Sequence, residues 1–397
     1  MKKVIVVGLG ASGAIAAIKA SENNEVLVLE KQSSPLKKIL VTGNGKCNLW
    51  NKNLFKENLD IEKYYHTDNY DLLNTILKKR FEVYDFLTKD LNIFTKEKNE
   101  YIYPYSKSAS SIKEILEQKL ASNNVDVILN FEVTNIEKKN NKIYVYNSNG
   151  EYYTCDKLII SKGNKSGQLG QDITDDLENI LKVKLNEKYP SLVPITLSTP
   201  FLKEWNGIRT DAKLTLYNND KLIKQETGEV QLTDYGISGI VTLNLSGYVN
   251  RLKGEKMIEI DFVEDISEED FYNKLINIKS NNKVETVLET LFNYKLLFIL
   301  LKKSNIKKDT IWNTLTKEQI KKLVHLIKHF ECKVDKTLDF NRSQVTTGGI
   351  SLKGLDESLK IDKDIYVTGE VLDVDGICGG YNLAFAFITG FIVGEIC

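Results

Sequence analysis

The stretch Val4–Ala17, VIVVGLGASGAIAA, decides the fold. An apolar run leads into three glycines spaced G-x-G-x-x-G, and small apolar residues follow them. This order is typical of a buried parallel strand that turns through glycines into a helix. Gly8 allows the tight turn, Gly10 lets the backbone approach a pyrophosphate, and Gly13 lets the helix pack closely on the strand. The stretch therefore predicts a dinucleotide site at a helix N-terminus.

A second apolar run, Glu25–Glu30 (EVLVLE), completes a βαβ unit. Glu30 ends this run seventeen residues after Gly13, where a carboxylate accepts hydrogen bonds from a ribose diol. The same carboxylate repels a 2′-phosphate, so NADP is not expected as the ligand of this unit. The unit alone leaves FAD and NAD both open.

The composition argues against several classes of partner. Lys+Arg and Asp+Glu number 54 each, and zero net charge favours neither a nucleic-acid nor a membrane-surface partner. The five cysteines never form a C-x-x-C spacing, so neither a disulfide framework nor a zinc or iron–sulfur site is expected. No window reaches 18 uninterrupted apolar residues and no signal peptide is recognised. We therefore expect a cytoplasmic protein with free thiols.

The remaining chain changes character along its length. Asp71–Leu91 predicts one amphipathic helix. Prolines cluster around Tyr189–Pro200, and short alternating runs beyond them predict antiparallel strands, residues 240–246 (IVTLNLS) among them. Ser267–His329 is lysine-rich and predicts helices, and an apolar helix is predicted at Asn382–Ile396. The simplest arrangement is one α/β domain built from both chain ends, with β and helical inserts.

A second glycine-rich segment, Tyr366–Gly394, lies near the C-terminus (YVTGEVLDVDGICGGYNLAFAFITGFIVG). It predicts a strand, a glycine-rich turn and an apolar helix. If this strand returns beside the first one, Glu370 can meet ribityl hydroxyls. The helix N-terminus near residues 381–383 would then face the pyrimidine end of an isoalloxazine, where backbone N–H groups favour reduced flavin. NAD enzymes do not need this element, so it favours FAD.

Seven segments occur in one order: VIVVGLGASG, VLVLEK, KILVTGNGKCN, YPSLVPI, GEVQLTDYGISG, QVTTGGI and GEVLDVDGICGGYNLAFA. This series resembles a family of bacterial FAD-binding flavoproteins, the NAD(P)/FAD-dependent oxidoreductases of the aminoacetone-oxidase and 3-dehydro-bile-acid-reductase type. The resemblance covers nearly the whole chain. It implies a Rossmann-like FAD-binding domain of the glutathione-reductase type (residues 1–192 and 338–397), a β-barrel-like insert (193–264 plus 330–337) and a small helical subdomain (265–329).

The resemblance also implies which residues contact FAD. The implied contacts are Gly8, Gly10, Ala11, Ser12 and Gly13 at the pyrophosphate; Glu30 and Lys31 at the adenosine ribose; Thr42, Gly43, Gly45, Lys46 and Cys47 near the flavin; Val133 at the adenine; and Gly369, Glu370, Asp375, Gly380, Tyr381, Asn382 and Leu383 at the ribityl chain and ring.

The sequence singles out no catalytic residue, and three weak candidates stay open. Cys47 is a thiol beside Lys46, His66 is placed to reach a substrate, and Arg342 is placed to clamp a substrate carboxylate. His325 and His329 are four apart on a predicted helix, but no third ligand is evident, so no metal is expected.

The expected activity is that of an FAD-dependent oxidoreductase acting on a small organic molecule. Reduction of an activated C=C or C=O and amine oxidation both stay open, as does NAD(P)H as a transient donor. The alternatives are a non-catalytic FAD-binding redox sensor and a flavin-dependent RNA modifier, although neither a nucleic-acid nor a membrane partner is expected.

Overall fold

The chain divides into two compact units, each with its own apolar core. The computed structural model describes residues 1–167 and 183–397. The first unit comprises Met1–Tyr189 and Val345–Cys397, so it is built from both ends of the chain. The second unit is Pro190–Gln344. The division falls within the proline cluster.

Strands and helices are numbered in chain order over the described residues. The strands are β1 Lys3–Val7, β2 Glu25–Leu29, β3 Trp50–Asn51, β4 Tyr65–Thr67, β5 Thr95–Lys98, β6 Tyr101–Pro104, β7 Asp126–Ile128, β8 Val133–Lys139, β9 Lys142–Asn147, β10 Tyr152–Cys155, β11 Lys157–Ile160, β12 Leu185–Ser191, β13 Ile195–Ser198, β14 Arg209–Asn218, β15 Lys221–Leu232, β16 Gly236–Ser238, β17 Lys256–Asp261, β18 Phe330–Thr337, β19 Val345–Ile350, β20 Lys360–Asp362, β21 Ile365–Val367 and β22 Val374–Gly376. The helices are α1 Ala11–Ala20, α2 Lys37–Val41, α3 Ile61–Tyr64, α4 Tyr70–Leu77, α5 Arg80–Asp85, α6 Ala109–Ser122, α7 Leu202–Trp205, α8 Ile240–Arg251, α9 Glu268–Ile276, α10 Val284–Leu288, α11 Tyr294–Lys303, α12 Lys317–Lys328 and α13 Tyr381–Ile396.

The first unit is organised around a six-stranded sheet in the order β20-β21-β11-β1-β2-β7. All its pairings are parallel except that of β20 with β21. The predicted βαβ unit is confirmed as β1, α1 and β2, and its inner strands are almost wholly buried, as parallel strands require. The C-terminal strand β21 pairs with β11, not with β1 as the sequence argument supposed.

Helices α1 and α13 pack closely and in parallel because glycines lie at their contact. A Cβ built on Gly390 would be 2.3 Å from the carbonyl oxygen of Ser12, and one built on Gly394 would be 2.6 Å from that of Ala16. Both distances are shorter than any real Cβ contact, so only glycine permits this approach. The helix from the chain's end is thereby placed against the first helix.

The second unit contains a closed barrel in the order β13-β16-β15-β14-β17-β18. The prediction of a strand at residues 240–246 is wrong, because this stretch opens α8. Val241, Leu245 and Val249 are buried at a spacing of four residues, which is a helical period that the short apolar alternation concealed. Gly239 precedes the helix with φ +102° and turns the chain into it.

The single helix predicted at Asp71–Leu91 is also wrong, since the segment is broken into α4, α5 and one turn of π-helix at Phe86–Asp90. The buried Arg80 guanidinium donates to the carbonyl oxygens of Leu77 (3.0 Å) and Leu54 (2.6 Å), and these contacts lie at the break between the helices.

No helix in the described part of the chain is long and apolar enough to cross a membrane.

Candidate cofactor site

The G-x-G-x-x-G turn has two glycines locked against backbone and one facing open space. A Cβ on Gly8 would lie 2.7 Å from the carbonyl oxygen of Ser161, and one on Gly13 would lie 2.1 Å from that of Gly8. Gly8 also has φ +96°, in the left-handed region. At Gly10, by contrast, a Cβ would meet nothing within 4 Å. The turn therefore leaves room for a ligand at Gly10.

The N-terminus of α1 is prepared for an anion. Its N-cap residue, Gly10, offers no side-chain cap, and no carboxylate lies in the first turn. The N–H groups at Ala11, Ser12 and Gly13 have no partner within the helix. Together with the helix dipole they form a site that suits a diphosphate.

At the end of β2, the buried Glu30 carboxylate supports the glycine turn. Its Oε2 accepts from the N–H of Leu9 at 2.6 Å, and its Oε1 accepts from that of Gln32 at 2.7 Å. A carboxylate has about four acceptor positions, so two remain for a ribose diol. The adjacent Lys31 is half-buried, and burial lowers its pKa against the opposing charges of Glu132 and Glu30.

The carbonyl oxygen of Val133, expected near the adenine, accepts from Lys162 Nζ at 3.0 Å. Lys162 lies two residues after the end of β11 and thus ties the segment that follows this strand to β8. Contact between Val133 and the adenine stays a prediction, and the sequence offered no sign of the lysine that holds it.

The loop from Thr42 to Cys47 is a compact turn closed on itself. The carbonyl oxygen of Thr42 accepts from the N–H groups of Gly45 (3.1 Å) and Cys47 (3.0 Å), and that of Gly45 accepts from Ala109 (2.8 Å). Four of its residues have positive φ: Gly43, Asn44, Gly45 and Cys47. Lys46 is exposed, whereas the Cys47 side chain is fully buried.

Burial raises the pKa of the Cys47 thiol to about 11, against a smaller lowering by a hydrogen bond with Thr42. The thiol is therefore neutral at neutral pH and is not an activated nucleophile.

We expect Cys47→Ala to retain flavin reoxidation by substrate within about threefold, the range of a packing change without loss of a catalytic group. Stopped-flow absorbance measures this rate. A decrease of about 100-fold in the reoxidation rate, with FAD still bound, would show that the thiol is catalytic.

The Gly369–Glu370 turn lies at the start of α1. Gly369 has φ +77°, and a Cβ there would be 2.3 Å from Ser12 Oγ. The Glu370 carboxylate accepts from Ser166 Oγ (2.5 Å) and the N–H of Thr346 (3.0 Å). Lys38 Nζ donates to it at 2.7 Å. Sequence reasoning missed Lys38 and Ser166, because only the tertiary fold brings them to this turn.

The N-terminus of α13 is also uncapped. Gly380 precedes it with φ +94°, without a side-chain cap, and no acidic residue lies in the first turn. The Asn382 amide accepts from the N–H of Gly376 (2.8 Å) and donates to its carbonyl oxygen (2.7 Å), which holds the turn before the helix. Tyr381 is buried and stacks on Tyr64 with ring centroids 4.9 Å apart, and Leu383 is half-buried.

The two uncapped helix ends are separated along parallel axes. Gly390 contacts Ser12 at the start of α1, and Gly390 follows Tyr381 by nine residues (381 to 390). Nine helical residues span about 13 Å. The first unit therefore presents two helix N-termini that favour negative charge, offset by this distance along the helix axis. The arrangement fits a ligand that has a diphosphate at the start of α1 and an electron-accepting ring at the start of α13.

Of the three catalytic candidates, Cys47 and His66 lie in the first unit and Arg342 in the second. His66 and Asp375 are register partners in the β4–β22 pair, with His66 Nδ1 3.4 Å from Asp375 Oδ2, and both are buried. The structure thus joins a catalytic candidate to an expected flavin contact. Arg342 is exposed and belongs to the second unit.

Comparison with known families matches residues 2–396 to the HI0933-like protein Rossmann domain. The chain belongs to this family. It is 32% identical to a 3-dehydro-bile acid delta(4,6)-reductase of Clostridium scindens, over 100% of this chain and 98% of that protein. It is 25% identical to a ribosomal RNA dihydrouridine synthase of Haemophilus influenzae, over 98% and 96% of the two chains.

Among solved structures, the open conformation of a flavocytochrome c3 fumarate reductase matches with a TM-score of 0.50 and 12% identity, over 99% of this chain and 77% of that one. At this identity the likeness shows the fold alone. The family membership and the fold confirm the expected Rossmann-type FAD-binding architecture and FAD as the cofactor. This HI0933-like family member is an FAD-dependent oxidoreductase.

Proposed function

We propose that this flavoenzyme reduces a carbon–carbon double bond conjugated to a carbonyl group in a small organic substrate. The observation that carries the proposal is full-length similarity to a protein named as a reductase of a 3-dehydro-bile acid at its 4,6 positions. The dihydrouridine synthase relative supports it as well. Uridine and an unsaturated 3-oxo steroid both have a C=C next to a C=O, so the two names describe one reaction type.

Once reduced by two electrons, the bound flavin would supply a hydride to the alkene carbon distant from the carbonyl, and a proton from solvent would reach the carbon beside it. The protein itself would hold the cofactor and stabilise negative charge on the flavin ring. N–H groups at the start of α1 would bind the diphosphate, and those at the start of α13 would favour negative charge at the pyrimidine end of the ring. NAD(P)H is proposed as a transient electron donor.

A second candidate is reduction of uridine within ribosomal RNA. The dihydrouridine synthase relative aligns over 98% of this chain, which is the observation in its favour. The zero net charge of the chain argues for the small substrate, because RNA binding draws its affinity from phosphate neutralisation.

Anaerobic reoxidation of the reduced enzyme separates these activities. We expect a 4-en-3-oxo steroid to restore the oxidised flavin spectrum, whereas the matched saturated 3-oxo steroid leaves the flavin reduced. Equal reoxidation by the saturated ketone, or bleaching of the oxidised enzyme by a primary amine, would contradict the proposal. Reoxidation only by uridine-containing ribosomal RNA would favour the second candidate.

A further inference from the structure

Two histidines and a glutamate, none of them assigned to FAD, converge in the helical part of the second unit. His325 lies in the last turn of α12 and His329 caps its C-terminus, so the two rings share one face. Glu268 is the first residue of α9. One oxygen of Glu268 lies 3.1 Å from His325 Nδ1, and the other lies 3.3 Å from His329 Nε2. The sequence showed the histidine pair but not its third partner.

We propose that Glu268, His325 and His329 form a Zn²⁺ site. The three ligand atoms all lie within 4.8 Å of one another. Zinc bonds of about 2.0–2.2 Å in tetrahedral geometry separate neighbouring ligand atoms by roughly 3.3–3.6 Å. Each imidazole is already near this separation from a different one of the two Glu268 oxygens, and the 66% exposed His325 side chain has freedom to adjust. A water molecule would complete the coordination.

Glu259 supports the site from outside the ligand set. Its Oε2 lies 2.9 Å from His329 Nδ1, so it accepts the proton on that nitrogen. The Nε2 lone pair of His329 is then directed toward Glu268 and His325. A carboxylate that orients a histidine in this way is the usual outer partner of a zinc ligand, and it also raises the basicity of the imidazole.

The donor set selects the class of metal. Two imidazoles and one carboxylate suit Zn²⁺ and its borderline neighbours, whereas Mg²⁺ and Ca²⁺ prefer oxygen ligands. The cation would lie beside the C-terminal end of α12, where the helix dipole favours positive charge. Because Glu268 and His325 are 57 residues apart, a bound ion would fasten α9 to α12 and stabilise the folded unit by mass action.

The test titrates Zn²⁺ into chelator-treated, FAD-loaded full-length protein, with calorimetry for binding and the thermal midpoint for stability. Wild type is expected to bind one ion saturably and to melt at a higher temperature. His325→Ala is expected to lose both effects, and Glu259→Gln to weaken binding about 10- to 100-fold. The exposed neighbour Glu269 provides the matched control, since Glu269→Gln leaves all three ligands in place.

Two further measurements keep the proposal falsifiable. Without metal, His325→Ala must melt at the wild-type temperature, and Glu268→Gln serves as an independent variant if it does not. Co²⁺ in place of Zn²⁺ must give a spectrum without thiolate charge transfer, because the cysteines are not ligands. Unchanged Zn²⁺ affinity in His325→Ala and Glu268→Gln, a thiolate band, or no saturable binding by wild type would overturn the proposal.

Discussion

Replacing Gly10 with alanine is expected to weaken FAD binding roughly 100-fold or more in a protein that still folds. Gly10 has φ −89°, which any residue adopts, and its Cβ would touch nothing in the protein. The added methyl group would instead occupy open space at the residue before α1, where the diphosphate is expected to bind. Loss of two charge-assisted hydrogen bonds to the diphosphate would cost about 3–6 kcal/mol, roughly 100-fold or more in Kd.

Gly13 provides the contrasting substitution. A Cβ there would lie 2.1 Å from the carbonyl oxygen of Gly8 and 2.4 Å from Ser161 Oγ, so Gly13→Ala should disrupt the β1–α1 packing itself. Flavin absorbance after gel filtration reports FAD content, and circular dichroism with thermal melting reports the fold. A Gly10→Ala protein that purifies with stoichiometric FAD would refute this placement of the diphosphate, whereas Gly13→Ala tests only the packing.

Local glycine constraints explain why the sequence predicted the core of the first unit. Gly13 is required by its close approach to Gly8 within one βαβ unit, and Gly8 by its positive φ in the turn, so their spacing carries that structure directly. The strand prediction for residues 240–246 failed because a short apolar run fits both the strand period and the helical period. Only in the folded unit do the turn at Gly239 and the burial of Val241 and Leu245 identify a helix. The break between α4 and α5 is likewise associated with a contact distant in sequence, the hydrogen bond from Arg80 to the carbonyl oxygen of Leu54.

The candidate sites were only partly visible in the sequence for the same reason. Lys38 and Ser166 reach Glu370 across more than 200 residues, and no spacing rule links them. The pairing of His66 with Asp375 depends on the register of two short strands. What the sequence conveys well is the chemistry of single loops, and what it conveys poorly is which distant side chains complete them.

The buried Lys328–Asp261 ion pair gives the second large expected effect, on stability. Lys328 Nζ lies 2.9 Å from Asp261 Oδ2, with the two side chains only 7% and 5% exposed. It also donates to the carbonyl oxygens of Val263 (2.7 Å) and Ile266 (2.5 Å), and so ties α12 to the end of β17. Lys328→Met leaves these acceptors and the carboxylate without their cation. We expect a loss of about 3–5 kcal/mol in the free energy of unfolding.

Lys333 supplies the matched control, because its ion pair with Glu255 is 62% and 82% exposed. Lys333→Met should cost far less than Lys328→Met, since water solvates both charges when the pair is broken. Replacing both buried partners, as Lys328→Met with Asp261→Leu, should recover much of the loss, because an apolar pair leaves no buried charge uncompensated. Urea denaturation followed by tryptophan fluorescence measures all three, with Trp205 and Trp312 reporting on the second unit. If Lys328→Met cost no more than Lys333→Met, the partly exposed Lys213, 3.8 Å from the same Asp261 oxygen, would have to be neutralising that carboxylate.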